Sequence, residues 1–549
     1  MPASNEIHQH NSGSPGSQRS TNPTLGWREL AVQRPTPAER RRQRILGITS
    51  VLLLLVIIFA GIRLTAVLTP TNDQLTVHIG NQQVITLDLR QSLPISADIL
   101  GTNIFPQSGT TSLDDSNGIM DYSPLLTSGL VDARIKLLDF PGGNWGEQHY
   151  LSRSQLASFA TLLNQIHADG LIQARLSGPI KNNFTELTDL PTRVSVAASW
   201  VDFMNNLRSD QRIAQFAHAP FHPVKYWTVG NEPDKLINPA TGHLYTVAEY
   251  VHDFIQYSIA MHRADPTIKI FGPEISEFYG PGAGPTDANG QLWMEGFLSG
   301  VGAYEKAHNV TLLDGVSFHR FQFTNATQTP YLFLSSTGEW NYLLPALHQL
   351  ISQNLQHDLP IAITGINTDP ALQAPPSRGL AALWWADTLG TLMNQQVAYI
   401  SFSSASGIDQ PYPLFTTTGQ QPTPMLRVME MFAHLQQNLI PLEIQRDPIS
   451  TYATQDDKHQ AVSLLFVNKS ATSQLVQFSS DSGLFVVSPW NNLNVSVPGY
   501  SIVVVTLHRN AGAEAYSFGV PASNDTSTAP VVHTVCGKST STVANATIC

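Results

Sequence analysis

The stretch VKYWTVGNEPD (224–234) decides how this chain is read. A run rich in aromatic and β-branched residues, Val224 to Val229, breaks at Gly230 into the polar loop Asn231-Glu232-Pro233-Asp234. A buried parallel strand ends this way at its carboxyl end. In a barrel built of alternating strands and helices, that end carries the chemistry. Working outward, seven more runs share the pattern: ADILGTNIF (97–105), ARIKLLDFPGG (133–143), LIQARLSG (171–178), IKIFGPEIS (268–276), DGVSFHRF (314–321), IAITGIN (361–367) and VAYISFSSAS (397–406). Helical patterns such as SQLASFATLLNQIHADG (154–170), TVAEYVHDFIQYSIAMHRA (246–264) and GLAALWWADTLGTLMNQQ (379–396) lie between them. Eight strand–helix units over residues 97–436 predict an α/β fold, a closed (β/α)8 TIM barrel.

Either side of the barrel the pattern shortens to strands. LTVHIG and QVITLDL fall in 74–96, and AVSLLFVN, QLVQFS and SIVVVTLH in 437–508. These two segments are expected to join in an accessory β-sandwich. Residues 509–549, rich in Ser, Thr and Ala, read as a flexible tail.

The chain has 549 residues, 42% hydrophobic and 13% charged, enough for a large core and more than one domain. Lys and Arg total 30 against 41 Asp and Glu, a formal charge of −11, so no basic footprint for nucleic acid exists. The only cysteines, Cys536 and Cys549, leave a tail disulfide open, and no CxxC or Cys/His cluster suggests a metal. No cofactor is implied. ILGITSVLLLLVIIFAGI (45–62) carries no charge and follows Arg40, Arg41, Arg42 and Arg44. That arrangement predicts a transmembrane signal anchor over 45–64, with a disordered cytoplasmic tail (1–44) and the barrel outside the plasma membrane. Secretion after cleavage is the alternative. Asn183, Asn309 and Asn468 begin Asn-X-Ser/Thr sequons. The oligomeric state cannot be read from the sequence.

The mouth residues then carry a resemblance. FPGGNWGE (140–147), KYWTVGNEPD (225–234), FGPEIS (271–276), VSFHRF (316–321) and IAITGINTD (361–369) make the chain similar to clan A glycoside hydrolases. The nearest families are the arabinofuranosidase-, xylosidase- and heparanase-like ones, and the likeness spans roughly residues 75–508. The resemblance implies Glu232 as general acid/base and Asn231 as binder of the sugar 2-hydroxyl. A carboxyl partly buried against Trp227 and Tyr226 is expected to have a raised pKa. The resemblance also implies a Thr-Glu pair ending the seventh strand, its glutamate the nucleophile. Here the pair reads Thr364-Gly365. Glycine supplies no carboxylate, and retention needs one about 5–5.5 Å from the acid. Gly365 is therefore a vacant nucleophile position, expected to leave a void open to water.

Three further departures accompany it: Phe321 where a Tyr is usual, SFSSAS (401–406) where a Trp is usual, and Asp139 where an Arg is usual. Candidates for the second carboxylate are Asp369, Glu274, Asp139 and Asp409, although a loop cap or a solvated group is the plainer reading of each. His319 points to the pocket or is a satisfied core histidine. Asn144, Trp145, Trp227 and Tyr279 are candidate sugar contacts, the aromatics equally readable as packing. Glu277 and Glu339 read as surface residues. Two carbohydrate readings stay open: a membrane-anchored glycosidase acting on a poly- or oligosaccharide with an atypical site, or a carbohydrate-binding pseudoenzyme. A rigid scaffold is a third.

Overall fold

The computed structural model describes residues 74–80, 83–106, 120, 122–149, 151–176, 189–322, 329–355, 357–368, 376–406, 412–417, 420–443, 448–480, 493–509, 512–521 and 528–536. The 45–62 run, Asn183, Asp369, Asp409 and Cys549 lie outside them. Among the described residues no helix is long and apolar enough to cross a membrane.

Eight parallel strands close into a barrel. They are β1 (Gly101–Asn103), β2 (Leu137–Phe140), β3 (Asp169–Ala174), β4 (Tyr226–Val229), β5 (Lys269–Ile275), β6 (Gly315–Gln322), β7 (Ile361–Thr368) and β8 (Tyr399–Phe402). A helix follows each, from Pro124–Asp132 after β1 to Pro424–Phe432 after β8. Successive residues of a strand face opposite sides. Leu137, Leu171, Tyr226, Phe271, Ala362 and Tyr399 thus form a closed layer inside the barrel. Their neighbours Leu138, Ile172, Trp227 and Ile400 pack outward into the helices. At the inner end the Tyr226 hydroxyl donates to Asp98 at 2.7 Å, filling the barrel floor.

Two antiparallel sheets make the sandwich. Gln74–Ile79, Gln83–Asp88, Gln474–Ser480 and Leu493–Val497 form the smaller one, and seven strands including Ile449–Gln455, Ala461–Asn468 and Ser501–His508 form the larger. Leu75, Val77, Val476 and Val495 meet Leu464, Phe466, Val503 and Val505 in a common core. On the other face of the larger sheet, Leu465, Val467, Ile502 and Val504 join the core of the barrel helices. AVSLLFVN is continuously apolar because it is buried on both faces. The 509–549 stretch is not all tail: Gly512–Gly519 and Val532–Cys536 extend the larger sheet. Cys536 is disulfide-bonded.

Helix Arg378–Asn394 is buried along nearly its whole length, with contacts to both the helical layer and the larger sheet. Its fully buried Asp387 accepts from Tyr452 Oη at 2.6 Å, Lys469 Nζ at 3.1 Å and Thr337 Oγ1 at 2.8 Å. Stripping one partner from such a buried pair typically costs about 3–5 kcal/mol. This polar junction fixes the sandwich against the barrel. Asn468 is also buried, its amide donating to the carbonyls of Thr472, Val497 and Pro498, so its sequon is sterically closed to a glycan.

Candidate active site

The barrel strands end in a set of polar side chains whose aim is set by two irregularities. Between β5 and β6 the register slips between Pro273 and Ile275, and between β6 and β7 it slips between Ile363 and Gly365. The residues left over are Glu274 and Thr364. A bulge re-aims a side chain that regular pleating would direct elsewhere. Here both bulge residues turn to the same place, and Thr364 Oγ1 donates to Glu274 Oε1 at 3.0 Å. Glu274 holds a left-handed backbone (φ 62°), as does Glu232 (φ 47°) at the end of β4. The Glu232 N–H donates to the Glu274 carbonyl at 2.9 Å, tying the two together. Such conformations cost about 1–3 kcal/mol apiece and persist where the surroundings enforce them.

Between the two carboxylates lies His319, projecting inward from β6. Its Nδ1 is 3.2 Å from Glu232 Oε1 and its Nε2 is 3.3 Å from Glu274 Oε2. A neutral imidazole donates from one nitrogen only, so donation to both carboxylates requires the imidazolium. Burial opposes a charge on this ring, but the hydrogen bonds and charges of both glutamates raise its pKa to about 10. For Glu232, burial works upward; the His319 bond and charge, with Lys235 Nζ at 3.0 Å, outweigh it and hold the carboxyl down at about 2. This corrects the expectation of a raised pKa. In the free protein Glu232 is an anion.

The expected void at Gly365 is also corrected. Gly365 and His319 are cross-strand neighbours, and a Cβ built on Gly365 would stand 2.9 Å from His319 Cγ. The imidazole occupies the room that a side chain at this position would need. A glutamate at 365 cannot be seated without moving the ring.

The other candidates fall into place around this core. Asp139, on β2, is buried and accepts from Ser401 Oγ at 3.0 Å; burial and then the nearby charge of Glu274 push its pKa up to about 8. Asn231 is buried and donates to Asn144 Oδ1 at 3.2 Å, joining the β4 loop to the short helix Gly143–Gln148 after β2. Trp145 is half-buried and stacks on His149 with centroids 4.3 Å apart. Trp227 does not reach the mouth: it is fully buried on the outward face of β4, its indole bonded to the Val224 carbonyl. Glu277 and Glu339 are not loose surface groups. Both bind Arg320 at 2.8 Å, whose guanidinium lies over the Tyr279 ring at 4.8 Å. Phe321 packs edge-on to His319. Lys235, Thr364 and Ser401 were not singled out by residue type. Lys235 could have been, since it stands three residues after Glu232. Among the described residues no His, Cys, Asp and Glu grouping could hold a metal ion.

With this geometry in hand, comparison with known proteins gives a consistent answer. The profile of Glycoside hydrolase family 44 matches residues 167–323, which run from β3 to the end of β6. An α-L-arabinofuranosidase from Thermotoga maritima superposes with a TM-score of 0.54 at 15% identity, covering 77% of this chain and 99% of that one. A family 51 α-L-arabinofuranosidase from Bifidobacterium longum gives 0.53 at 13% identity, with 79% and 99% covered. A family 44 xyloglucanase from Paenibacillus polymyxa gives 0.51 at 13%, with 76% and 97% covered. The chain is clan A glycoside hydrolase-like. No protein of curated function matches the sequence. At these identities the likeness is one of fold, and in this glycoside hydrolase-like barrel the family profile ends one strand before Gly365.

The charged bridge has a pH signature. Its contribution through His319 is fully present below 6.5, the ordinary histidine value, and is lost as the pH rises toward 10. Its contribution through Glu232 is fully present above 4.5 and is lost as the pH falls toward 2. His319→Gln should therefore lower the melting temperature most between about pH 4.5 and 6.5, with the gap from wild type narrowing toward pH 10. Thermal melts of both proteins across that range check it. A gap that does not change with pH would contradict the bridge.

Proposed function

We propose that the barrel mouth binds a poly- or oligosaccharide and hydrolyses it by a single, inverting displacement, with Glu232 as general acid and Glu274 as the base. The observation that carries this reading is the His319 bridge. It spaces the two carboxylates by two hydrogen bonds and a ring's width. We read that arrangement as an inverting pair, about 6.5–9.5 Å apart, rather than a retaining one, roughly 5–5.5 Å apart. Glu274 takes the part of second carboxylate because the Thr364 bond and its bulge aim it there.

A substrate entering the mouth must displace His319 from Glu232. Glu232 then keeps its burial and loses the strongest influence holding it ionised, so its pKa climbs into the range of a general acid. Glu274, still bonded to Thr364, is left to take a proton from the attacking water. Asn231 holds the sugar's 2-hydroxyl, and Asn144 and Trp145 line the approach. The similar solved structures are named as arabinofuranosidases and a xyloglucanase, which supports xyloglucan and arabinoxylan as the first substrates to try.

One observation favours the second reading, a carbohydrate-binding pseudoenzyme. The resting Glu232 is an anion locked between His319 and Lys235, and a tight lock would permit binding without turnover. We also propose that residues 45–62 anchor the chain in the plasma membrane with the barrel outside. External protease on intact cells then digests the barrel and leaves the N-terminal tail; a released barrel lacking residues 1–62 contradicts the anchor.

Glu232→Gln should abolish hydrolysis of unactivated glycosides while leaving polysaccharide binding intact. Aryl glycosides, whose leaving groups need little protonation, should suffer less. Proton NMR of the first-formed product should show inverted anomeric configuration. A retained product would overturn the Glu232–Glu274 assignment, and binding with no turnover of any glycoside by wild type would establish the pseudoenzyme.

A further inference from the structure

Away from the mouth, a cavity of about 780 Å³ lies in the seam between barrel and sandwich. That volume is within the usual range for small-molecule sites, about 300–1,000 Å³. One wall comes from the segments after β6 and β7, the same end of the barrel as the candidate active site. It carries Tyr331 and Leu334 on the helix Pro330–Ser335, then Ser377 and Leu383 at and within helix Arg378–Asn394. The facing wall is the sandwich, with Lys469 after strand Ala461–Asn468 and Tyr500 before strand Ser501–His508.

We propose that this seam is a second carbohydrate site, taking a segment of a poly- or oligosaccharide. The proposal rests on the carbohydrate reading of the barrel and adds a site that reading does not contain. A sugar ring offers an apolar C–H face bordered by hydroxyls, and the seam offers the complement. Leu334 and Leu383 supply a dry floor, both being buried. Tyr331 and Tyr500, on opposite walls, expose 66% and 45% of their surface, so their ring faces are open to a ligand. Ser377 accepts the Leu380 N–H as a helix cap, which leaves its own O–H to donate. Lys469 is held by Asp387 and Ser450, both at 3.1 Å, which uses two of its three N–H groups and fixes where the third points. A purely apolar ligand would leave the Ser377 hydroxyl unanswered.

Tyr500 adds an independent sign. It has a left-handed backbone (φ 48°), a conformation that glycine or asparagine adopts at far lower cost than a bulky aromatic. The residue is 45% exposed, so part of its surface is open at the cavity edge. Strain at the edge of a cavity supports a role for this tyrosine in binding.

The test is hydroxyl-radical footprinting of the full chain in detergent, with xyloglucan and, separately, arabinoxylan as probes. The proposal expects oxidation of both Tyr331 and Tyr500 to fall at least threefold, alongside Trp145 at the mouth. Tyr331→Ala and Tyr500→Asn, the latter chosen to suit the left-handed turn, should each weaken binding of the protecting polysaccharide about tenfold with unchanged thermal melts. Protection of Trp145 with none at the two tyrosines overturns the seam site and leaves the mouth reading standing. Protection of the tyrosines without Trp145 supports the seam and contradicts the mouth. No protection at either place by either probe overturns both.

Discussion

One imidazolium ring organises the mouth of this barrel. His319 stands between Glu232 and Glu274, in contact with both, over the one residue of β7 that has no side chain. Each part requires the others. Two buried carboxylates this close to one another would repel unless a cation separated them, and a buried cation would shed its proton without them. The ring fits only because position 365 is glycine. The missing side chain at position 365 and the cationic bridge are the same structural fact seen from two strands.

The rest of the fold serves to hold that ring. The bulges on β5 and β7 bring Glu274 and Thr364 to bear on it, and the hydrogen bond from the Glu232 N–H to the Glu274 carbonyl keeps the two left-handed residues in step. Below, the Tyr226, Phe271 and Tyr399 rings close the barrel interior, so the charges sit on a packed floor rather than over a channel. Outside, Asp387 locks the helix after β7 to the sandwich through Tyr452 and Lys469. The strand that carries Gly365 is thus braced from behind by a second domain.

Much of this was legible in the residues. Each of the eight barrel strands overlaps one of the apolar runs, and five lie wholly inside, because a parallel strand covered on both sides must be apolar throughout and must turn polar where it meets the mouth. The missing side chain at Gly365 could be read directly, while His319 was left open between the pocket and the core. Trp227 was misassigned although the information was present: it alternates with Tyr226, so one of them had to face outward. The strand Gly512–Gly519 was missed because its buried positions are held partly by alanine, which gives a weak hydrophobic alternation. Bulges have no signature in composition, so neither the convergence of Glu274 with Thr364 nor the filled void could be anticipated. The sign of the Glu232 shift depends on which neighbour touches it, and distance is not written in sequence.

The central claim is a protonation state at one position, and neutron diffraction reads it directly. On deuterated crystals of the free protein at pH 7, the bridge predicts deuterium on both Nδ1 and Nε2 of His319, no deuterium on Glu232, and the ring lying over Gly365. A ring deuterated at one nitrogen and turned away from Gly365 would contradict it.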